Sequence, residues 1–233
     1  MPRVARIVMP GWPHHVVQRG NNRQDVFFVD DDRRAYLRFL KERCEAAGVD
    51  VLGYCLMTNH VHLIVAPGDE DGLARAIGRT HFLYTQYVNR LHRRSGHLWQ
   101  NRFYSCALAE PHLWTAMRYV ERNPVRAGLV RVPWRYHWSS AGVHVGKSPD
   151  AADVLDLATW SAEWTPRRWE RALREGEVEV ETRQFRRHTH TGRPLASDSL
   201  LSKLEKKLGR RVRPLPVGRP RKRLPARRKQ NKL

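Results

Sequence analysis

The chain of 233 residues has few cysteines, few acidic side chains and no long apolar run. Its three cysteines show no C-x-x-C spacing, which argues against a disulfide scaffold or a zinc ribbon. No segment approaches the roughly 20 continuous apolar residues that a membrane-spanning helix needs. The first fifteen residues also lack the apolar core of a signal peptide. These absences predict a cytoplasmic protein with no membrane segment.

The scarcity of acidic residues leaves a large positive charge. Lys and Arg number 43 against 23 Asp and Glu, a formal net charge of +20. Residues 183–233 hold 18 of these basic side chains and only 2 acidic ones, so most of the excess lies in the last fifth of the chain. A charge of this size favours a polyanionic partner, nucleic acid above all, because binding releases counterions. The sequence therefore predicts a DNA-binding, nucleoid-associated protein.

Hydrophobic periodicity predicts an α+β domain, which is followed by a C-terminal extension. The first six elements spell βαββαβ, which indicates a ferredoxin-like sandwich of an antiparallel sheet with helices on one face. The predicted elements are a strand at 14–20, a helix from 30 to a stop at Gly48, strands at 49–57 and 60–67, a helix at 71–96, a strand at 102–110 and a helix at 111–123.

The composition changes after the predicted sandwich. We place a globular domain at 1–146 and a small helical extension at 147–182. Residues 183–233 are polar, basic and interrupted by proline, which predicts a DNA-binding tail that is largely disordered. One helix is expected inside this tail, in the segment "SDSLLSKLEKKLG".

Two histidines stand one residue apart in the apolar segment "CLMTNHVHLIV". Alternation along a strand places His60 and His62 on the same face, with Val61 on the other. Two neutral imidazoles on one face can bind a single divalent metal ion. They can equally be half-buried histidines that hydrogen bonds satisfy, and a second H-x-H pair occurs at 188–190. Spacing alone leaves both interpretations open.

A tyrosine and an asparagine share one side of the predicted helix at 111–123. Tyr119 and Asn123 are four residues apart and therefore face the same way. Tyr119 could act as a nucleophile toward phosphorus, with Asn123 as a third, oxygen ligand for the metal. The alternative is a tyrosine packed at the edge of the core and an asparagine that caps the helix before Pro124.

Taken together, these segments resemble the single-tyrosine HUH transposases (U being a hydrophobic residue), and in particular their REP-associated branch. In insertion-sequence relatives the residue one turn after the tyrosine is usually Gln, where this chain has Asn123. The resemblance covers roughly three quarters of the chain and rests on the HUH strand "MTNHVHLIV", the tyrosine helix "RYVERNPVRAGLV", the flanking blocks "WQNRFYS" and "YHWSSA", the first strand and turn "PHHVVQRGNNRQDVFF", and the extension "GRPLASDSLLSKLEKKLGRRVRP".

The resemblance implies a metal-dependent endonuclease and strand transferase that acts on single-stranded DNA. It implies that His60, His62 and Asn123 hold Mg²⁺ or Mn²⁺ and that Tyr119 forms a 5′-phosphotyrosine intermediate. The implied substrates are palindromic repeat hairpins flanked by a guide tetranucleotide. A monomer is the expected state, with a homodimer as the alternative. The competing function is a catalytically silent protein that binds repeat hairpins.

Residues that would contact DNA are expected in three places. Basic side chains can contact phosphates or base edges, and exposed aromatic rings can stack on unpaired bases. The "VGRPRKR" segment has the G-R-P core of an AT-hook, although a sequence-independent phosphate clamp explains it as well. The residues concerned are Arg19, Asn21, Asn22 and Arg23 after the first strand, Trp99 and Arg102 before the last strand, and Arg219, Arg221, Lys222 and Arg223 in the tail.

Overall fold

A computed structural model of the chain describes residues 5–150, 152–176 and 179–213. Short 3₁₀ turns lie at Asn21–Arg23 and Pro133–Arg135, and a π-helical turn at Ala74–Gly78 leads directly into α2. The strands and helices are β1 (His14–Arg19), α1 (Asp30–Ala47), β2 (Val49–Met57), β3 (His60–Pro67), α2 (Arg79–Leu91), β4 (Tyr104–Ala107), α3 (Glu110–Glu121), α4 (Asn123–Arg126), α5 (Ala141–His144), α6 (Ala158–Glu163), α7 (Pro166–Glu175), α8 (Glu179–Thr191) and α9 (Asp198–Leu208).

The strands form a four-stranded antiparallel sheet in the order β2-β3-β1-β4. With the βαββαβ chain order, this arrangement confirms the predicted ferredoxin-like α+β fold. Strands β2 and β3 have the predicted bounds, and the short connection between them makes a hairpin. In the register of the sheet, His62 lies beside Val17 of β1 and His60 lies beside Arg19.

Two elements are shorter than the sequence predicts. The strand expected at 102–110 is limited to Tyr104–Ala107, because the chain turns into α3 with Pro111 in the first helical turn. The helix expected at 71–96 ends at Leu91, because two residues with positive φ follow within the next five positions. Residues of that conformation cannot continue a right-handed helix.

The two faces of the sheet support two separate cores. Alternation directs Val16 and Leu63 toward α1 and α2, the two helices inside the βαββαβ unit. The same alternation directs Cys55 and Ile64 to the opposite face, which α3 and later helices cover. The predicted arrangement, with helices on one face of the sheet, therefore holds within the βαββαβ unit. The helix α3 and the helices after it add a third layer on the other face.

The segment predicted as a largely disordered tail folds over part of its length. Residues 183–213 include most of α8 and all of α9. The helix α9 was expected, in the segment "SDSLLSKLEKKLG", whereas α8 was not. The reason is that a few apolar side chains are well placed: Phe185 is buried in the core behind the sheet. Leu201 and Leu204 of α9 pack against Ile7 and Met9 near the start of the chain.

The four predicted tail contacts Arg219, Arg221, Lys222 and Arg223 lie outside the described residues. Among the helices of the described ranges, none combines the length and apolar character that crossing a membrane requires.

Two buried histidines away from the sheet's histidine pair predict a loss of stability in acid. Burial lowers the pKa of His14 to about 4, although main-chain hydrogen bonds partly oppose the shift. Burial and the nearby Arg6 charge lower the pKa of His81 to about 3. Unfolded histidines take up protons near pH 6.5, so below that pH the unfolded state binds more protons than the folded state. We expect each residue to remove about 1.4 kcal/mol of unfolding free energy per pH unit below 6.5, until the folded pKa is reached.

Urea denaturation at a series of pH values from 7.5 to 5.0 measures this slope. The His81→Gln variant should show a shallower slope than the wild type, because one of the contributing histidines is gone. An equal slope in the two proteins would contradict the assignment of His81.

Candidate functional site

An open cavity of about 640 Å³ lies on the face of the sheet that α3 and α8 cover. It contains five residues that the sequence analysis selected and several that it did not. The predicted residues are Arg19, His60, His62, Tyr119 and Asn123, and the others include His15, Gln100, Tyr104, Arg126, Phe185, Arg186, Thr189 and His190.

The histidine pair at the start of β3 presents neutral rings. His60 and His62 have ring centroids 5.0 Å apart on the same face of the strand. The Nδ1 of His60 lies 2.6 Å from the side-chain oxygen of Asn59, and because that oxygen only accepts, Nδ1 carries the proton. Burial and the charges of Arg19 and Arg126 lower the pKa of His60 to about 4. The Nε2 of His60 therefore keeps a lone pair at neutral pH.

A third histidine supports the pair from β1. His15 Nε2 lies 2.9 Å from His62 Nδ1, and the planes of the two rings are only 4° apart, so the rings lie side by side along this hydrogen bond. On its other side, His15 Nδ1 lies 2.8 Å from the hydroxyl of Thr189 in α8. Burial, and after it the neighbouring His60, His15 and Arg126, lower the pKa of His62 well below the ordinary value, so this ring is neutral too.

Tyr119 lies on α3 with its ring against those of the histidines. Its ring centroid is 5.9 Å from that of His62, and Phe185 packs edge-on at 4.8 Å. Arg186 donates from Nε to the phenol oxygen at 3.2 Å. The guanidinium of Arg126 lies 3.9 Å from the centroid of the phenol ring and also donates to the main-chain oxygen of Tyr119. Guanidinium groups in this position can bind a phosphate that approaches the phenol.

Asn123 begins α4, just after α3 ends, and still lines the same cavity as Tyr119. Its side chain is buried, and its Nδ2 has no hydrogen-bond partner among the residues that the structure describes. Within the same ranges, no three His, Cys, Asp or Glu side chains form a group able to hold a metal ion. The imidazole nitrogens of His60 and His62 and the amide oxygen of Asn123 are atoms of the kind that can bind a divalent metal ion.

The family model described as "Transposase IS200 like" matches residues 11–123, which include all four strands and the tyrosine helix. This stretch, called the transposase domain below, is similar to IS200-like transposases and makes up a little less than half of the chain. The predicted resemblance is thereby confirmed at the level of the family. No curated protein matches the chain.

Two solved structures are similar to this chain, and the first of them shares its fold. One is a REP-associated tyrosine transposase bound to a REP hairpin, with 19% identity and a TM-score of 0.52 over 68% of this chain and 96% of that chain. Another is a candidate transposase from Deinococcus radiodurans, with 17% identity and a TM-score of 0.37 over 52% of this chain and 97% of that chain.

The predicted DNA contacts of the transposase domain include exposed residues and one buried residue. The turn Asn21–Arg23 lies beside the start of β3, because Asn59 donates to the Arg23 main-chain oxygen at 3.1 Å and accepts from Gly20. Asn22 and Arg23 are exposed there, as is Arg102 before β4. Trp99 is different, and the prediction of an exposed stacking ring is wrong for it. This side chain is buried and its indole nitrogen donates to a main-chain oxygen.

Sequence reasoning missed several cavity residues of the transposase domain and its extension. Arg126 stands in the quoted tyrosine-helix segment, but beyond Pro124, where the predicted helix ends, so helical spacing did not connect it with Tyr119. His15 stands in the first-strand segment, but nothing local shows that it meets His62. Arg186 and Thr189 belong to a stretch whose composition predicted disorder, so no sequence signal indicated them.

Proposed function

We propose that the chain is a metal-dependent endonuclease and strand transferase that acts on single-stranded DNA, with Tyr119 as its nucleophile. One observation carries this proposal. The phenol of Tyr119, the neutral imidazoles of His60 and His62 and two guanidinium groups all line one open cavity. This set contains a nucleophile, donors for a metal ion and binding groups for a phosphate, which is what phosphodiester transfer needs.

The proposed ion is Mg²⁺ or Mn²⁺, held by the Nε2 atoms of His60 and His62 and the side-chain oxygen of Asn123. Two observations support this assignment: Asn123 lines the cavity with both histidines, and its buried amide nitrogen has no hydrogen-bond partner in the described part of the chain. A bound divalent ion would polarise the scissile phosphate and offset its developing negative charge.

In the proposed reaction, Arg126 and Arg186 hold the scissile phosphate beside Tyr119. The phenol oxygen attacks phosphorus, its proton passes to solvent, and the bond between phosphorus and the 3′ oxygen breaks. The departing oxygen takes up a proton and becomes a free 3′-OH, while the 5′ phosphate stays on Tyr119. One phosphodiester replaces another, so a 3′-OH can reverse the step and join strands without ATP.

The proposed substrate is a hairpin of the palindromic REP type with a flanking guide tetranucleotide. The structure of the REP-associated transposase, which shares the fold, holds a REP hairpin. Arg19 lines the cavity, and the turn at Asn21–Arg23 is hydrogen-bonded to Asn59, the residue before His60, so these residues would contact phosphates and bases next to the scissile bond. Arg102 and the basic residues Arg219, Arg221, Lys222 and Arg223 would add contacts that salt weakens.

We propose that the protein works as a monomer, because Tyr119 and both histidines of one chain line the same cavity.

The competing function, a silent hairpin-binding protein, is separated from the enzyme by a single assay. A labelled hairpin oligonucleotide with a single-stranded flank is incubated with the protein and Mn²⁺, and products are resolved under denaturing conditions. Cleavage with a covalent protein–DNA species supports the enzyme, whereas tight binding without either product supports the silent binder.

The metal site predicts a large effect on ion affinity. Loss of an outer-shell partner weakens metal binding by roughly 10–100-fold. The variant His60→Ala removes a direct ligand, so we expect it to weaken Mn²⁺ binding by a larger factor. Mn²⁺ titration followed by electron paramagnetic resonance measures the affinity without any reaction. The exposed His97, which lies outside the cavity, supplies the matched control His97→Ala. Equal affinities in the two variants would contradict the proposed ligand.

A further inference from the structure

A chain of hydrogen bonds joins the extension to the histidine pair. Thr189 of α8 contacts His15 Nδ1 at 2.8 Å, and His15 Nε2 contacts His62 Nδ1 at 2.9 Å. All three side chains are less than a tenth exposed, so water does not compete for these contacts. Thr189 lies after residue 123, in the part of the chain that we call the extension. This hydrogen-bonded link is therefore added to the transposase domain by the extension.

The hydrogen bonds from Thr189 through His15 to His62 allow two arrangements of the protons. A neutral imidazole has one N–H and one lone pair, and a threonine hydroxyl can donate or accept. In the first arrangement, His62 donates from Nδ1 to His15, and His15 donates from Nδ1 to Thr189. In the second, Thr189 donates to His15, and His15 donates from Nε2 to His62, which must then carry its own proton on Nε2. Only the first arrangement leaves a lone pair on His62 Nε2.

We propose that Thr189 and His15 are positioning residues that keep the proton of His62 on Nδ1 and so present its Nε2 lone pair to a divalent cation. The inference rests on the proposed metal site at His60 and His62. Partners of this kind fix the tautomer and the orientation of histidine ligands generally. The near-parallel planes of the His15 and His62 rings suit this hydrogen bond, and the packing of Phe185 on His15 at 4.6 Å between centroids holds the His15 ring in place.

Replacement of Thr189 by valine should change the protons from the first arrangement to the second. Valine has a similar shape but cannot accept a hydrogen bond, so the buried Nδ1–H of His15 would lose its acceptor. A buried donor without a partner is unfavourable. The proton of His15 would move to Nε2, where His62 Nδ1 accepts it, and His62 would then carry its proton on Nε2. The variant Thr189→Ser keeps the hydroxyl and serves as the matched control.

Two measurements on the full-length protein test the inference. Long-range ¹H–¹⁵N spectra of the histidine rings, recorded without metal, report the tautomer of His62. Mn²⁺ titration reports affinity. We expect the Nδ1–H form in the wild type and in Thr189→Ser, and the Nε2–H form in Thr189→Val with Mn²⁺ affinity about 10–100-fold lower. Thermal melting of each variant shows that the fold is retained.

The possible outcomes separate the inference from the proposed function. An unchanged His62 tautomer or an unchanged Mn²⁺ affinity in a folded Thr189→Val variant would overturn the inference and leave the nuclease intact. If the wild type itself binds no Mn²⁺, the proposed metal site fails and takes the positioning role with it. If Thr189→Ser loses affinity as Thr189→Val does, the hydroxyl is not the cause, and the inference is overturned as well.

Discussion

Replacing Tyr119 with phenylalanine is expected to abolish strand cleavage and the covalent protein–DNA species, while hairpin binding persists. The substitution removes one oxygen atom and keeps the ring that packs on Phe185 and beneath the Arg126 guanidinium. Loss of a nucleophile lowers catalysis by several orders of magnitude, so we expect a rate at least about 1,000-fold below the wild type. Denaturing electrophoresis of a labelled hairpin with Mn²⁺ measures the adduct, and fluorescence anisotropy measures binding.

The matched control is Tyr87→Phe, because Tyr87 lies on α2 behind the opposite face of the sheet. This variant should cleave like the wild type. A covalent species that survives in Tyr119→Phe would show that another residue is the nucleophile and would remove the basis of the proposed mechanism.

Mixing Tyr119→Phe with His60→Ala tests whether the protein works as a monomer. Activity restored by mixing would mean that two chains share a site.

The secondary structure near the site was predictable because its signals are local. Strands β2 and β3 consist of apolar runs separated by a two-residue turn, and their predicted bounds match the structure. The same-face placement of His60 and His62 follows from strand alternation alone. The four-residue spacing of Tyr119 and Asn123 indicated a shared side, and both line the cavity even though α3 ends between them.

The rest of the site depends on long-range pairing that a single sequence does not reveal. His15 meets His62 only because β1 and β3 pair in one register, with Val17 opposite His62. Thr189 and Arg186 reach the cavity because α8 packs against β4 and α3, in a stretch whose composition suggested disorder. Trp99 was misjudged for a related reason: its loop position suggested exposure, but its ring packs on His81 inside the core.

The extension therefore completes the cavity as well as covering the sheet. The domain that matches the family ends at residue 123, and α8 then supplies Phe185, Arg186 and Thr189 to the same cavity. Further extension helices brace the helix that carries Tyr119. Glu121, two residues after Tyr119 on α3, is fully buried and accepts hydrogen bonds from residues of the segments around α5 and α7.

Replacing Glu121 with leucine is expected to lower the unfolding free energy by about 3–5 kcal/mol. The carboxylate accepts from Ser140 at 2.6 Å, from His144 Nδ1 at 2.5 Å and from the indole of Trp169 at 2.8 Å. Leucine fills a similar volume but accepts nothing, so three buried donors lose their partner. Since domains of this kind are stable by only about 5–15 kcal/mol, the variant should be marginally folded at best.

Urea denaturation at pH 7.5 measures the loss, and Glu170→Ala provides the comparison. Glu170 also forms ion pairs, with Lys147 and Arg174, but at the surface, where solvent screens them. Its removal should change the urea midpoint far less than the removal of Glu121. Equal midpoints for the two variants would mean that the buried carboxylate does not hold α3 against the extension. In that case the position of Tyr119 would depend on its contacts with Arg126, Phe185 and the histidines alone.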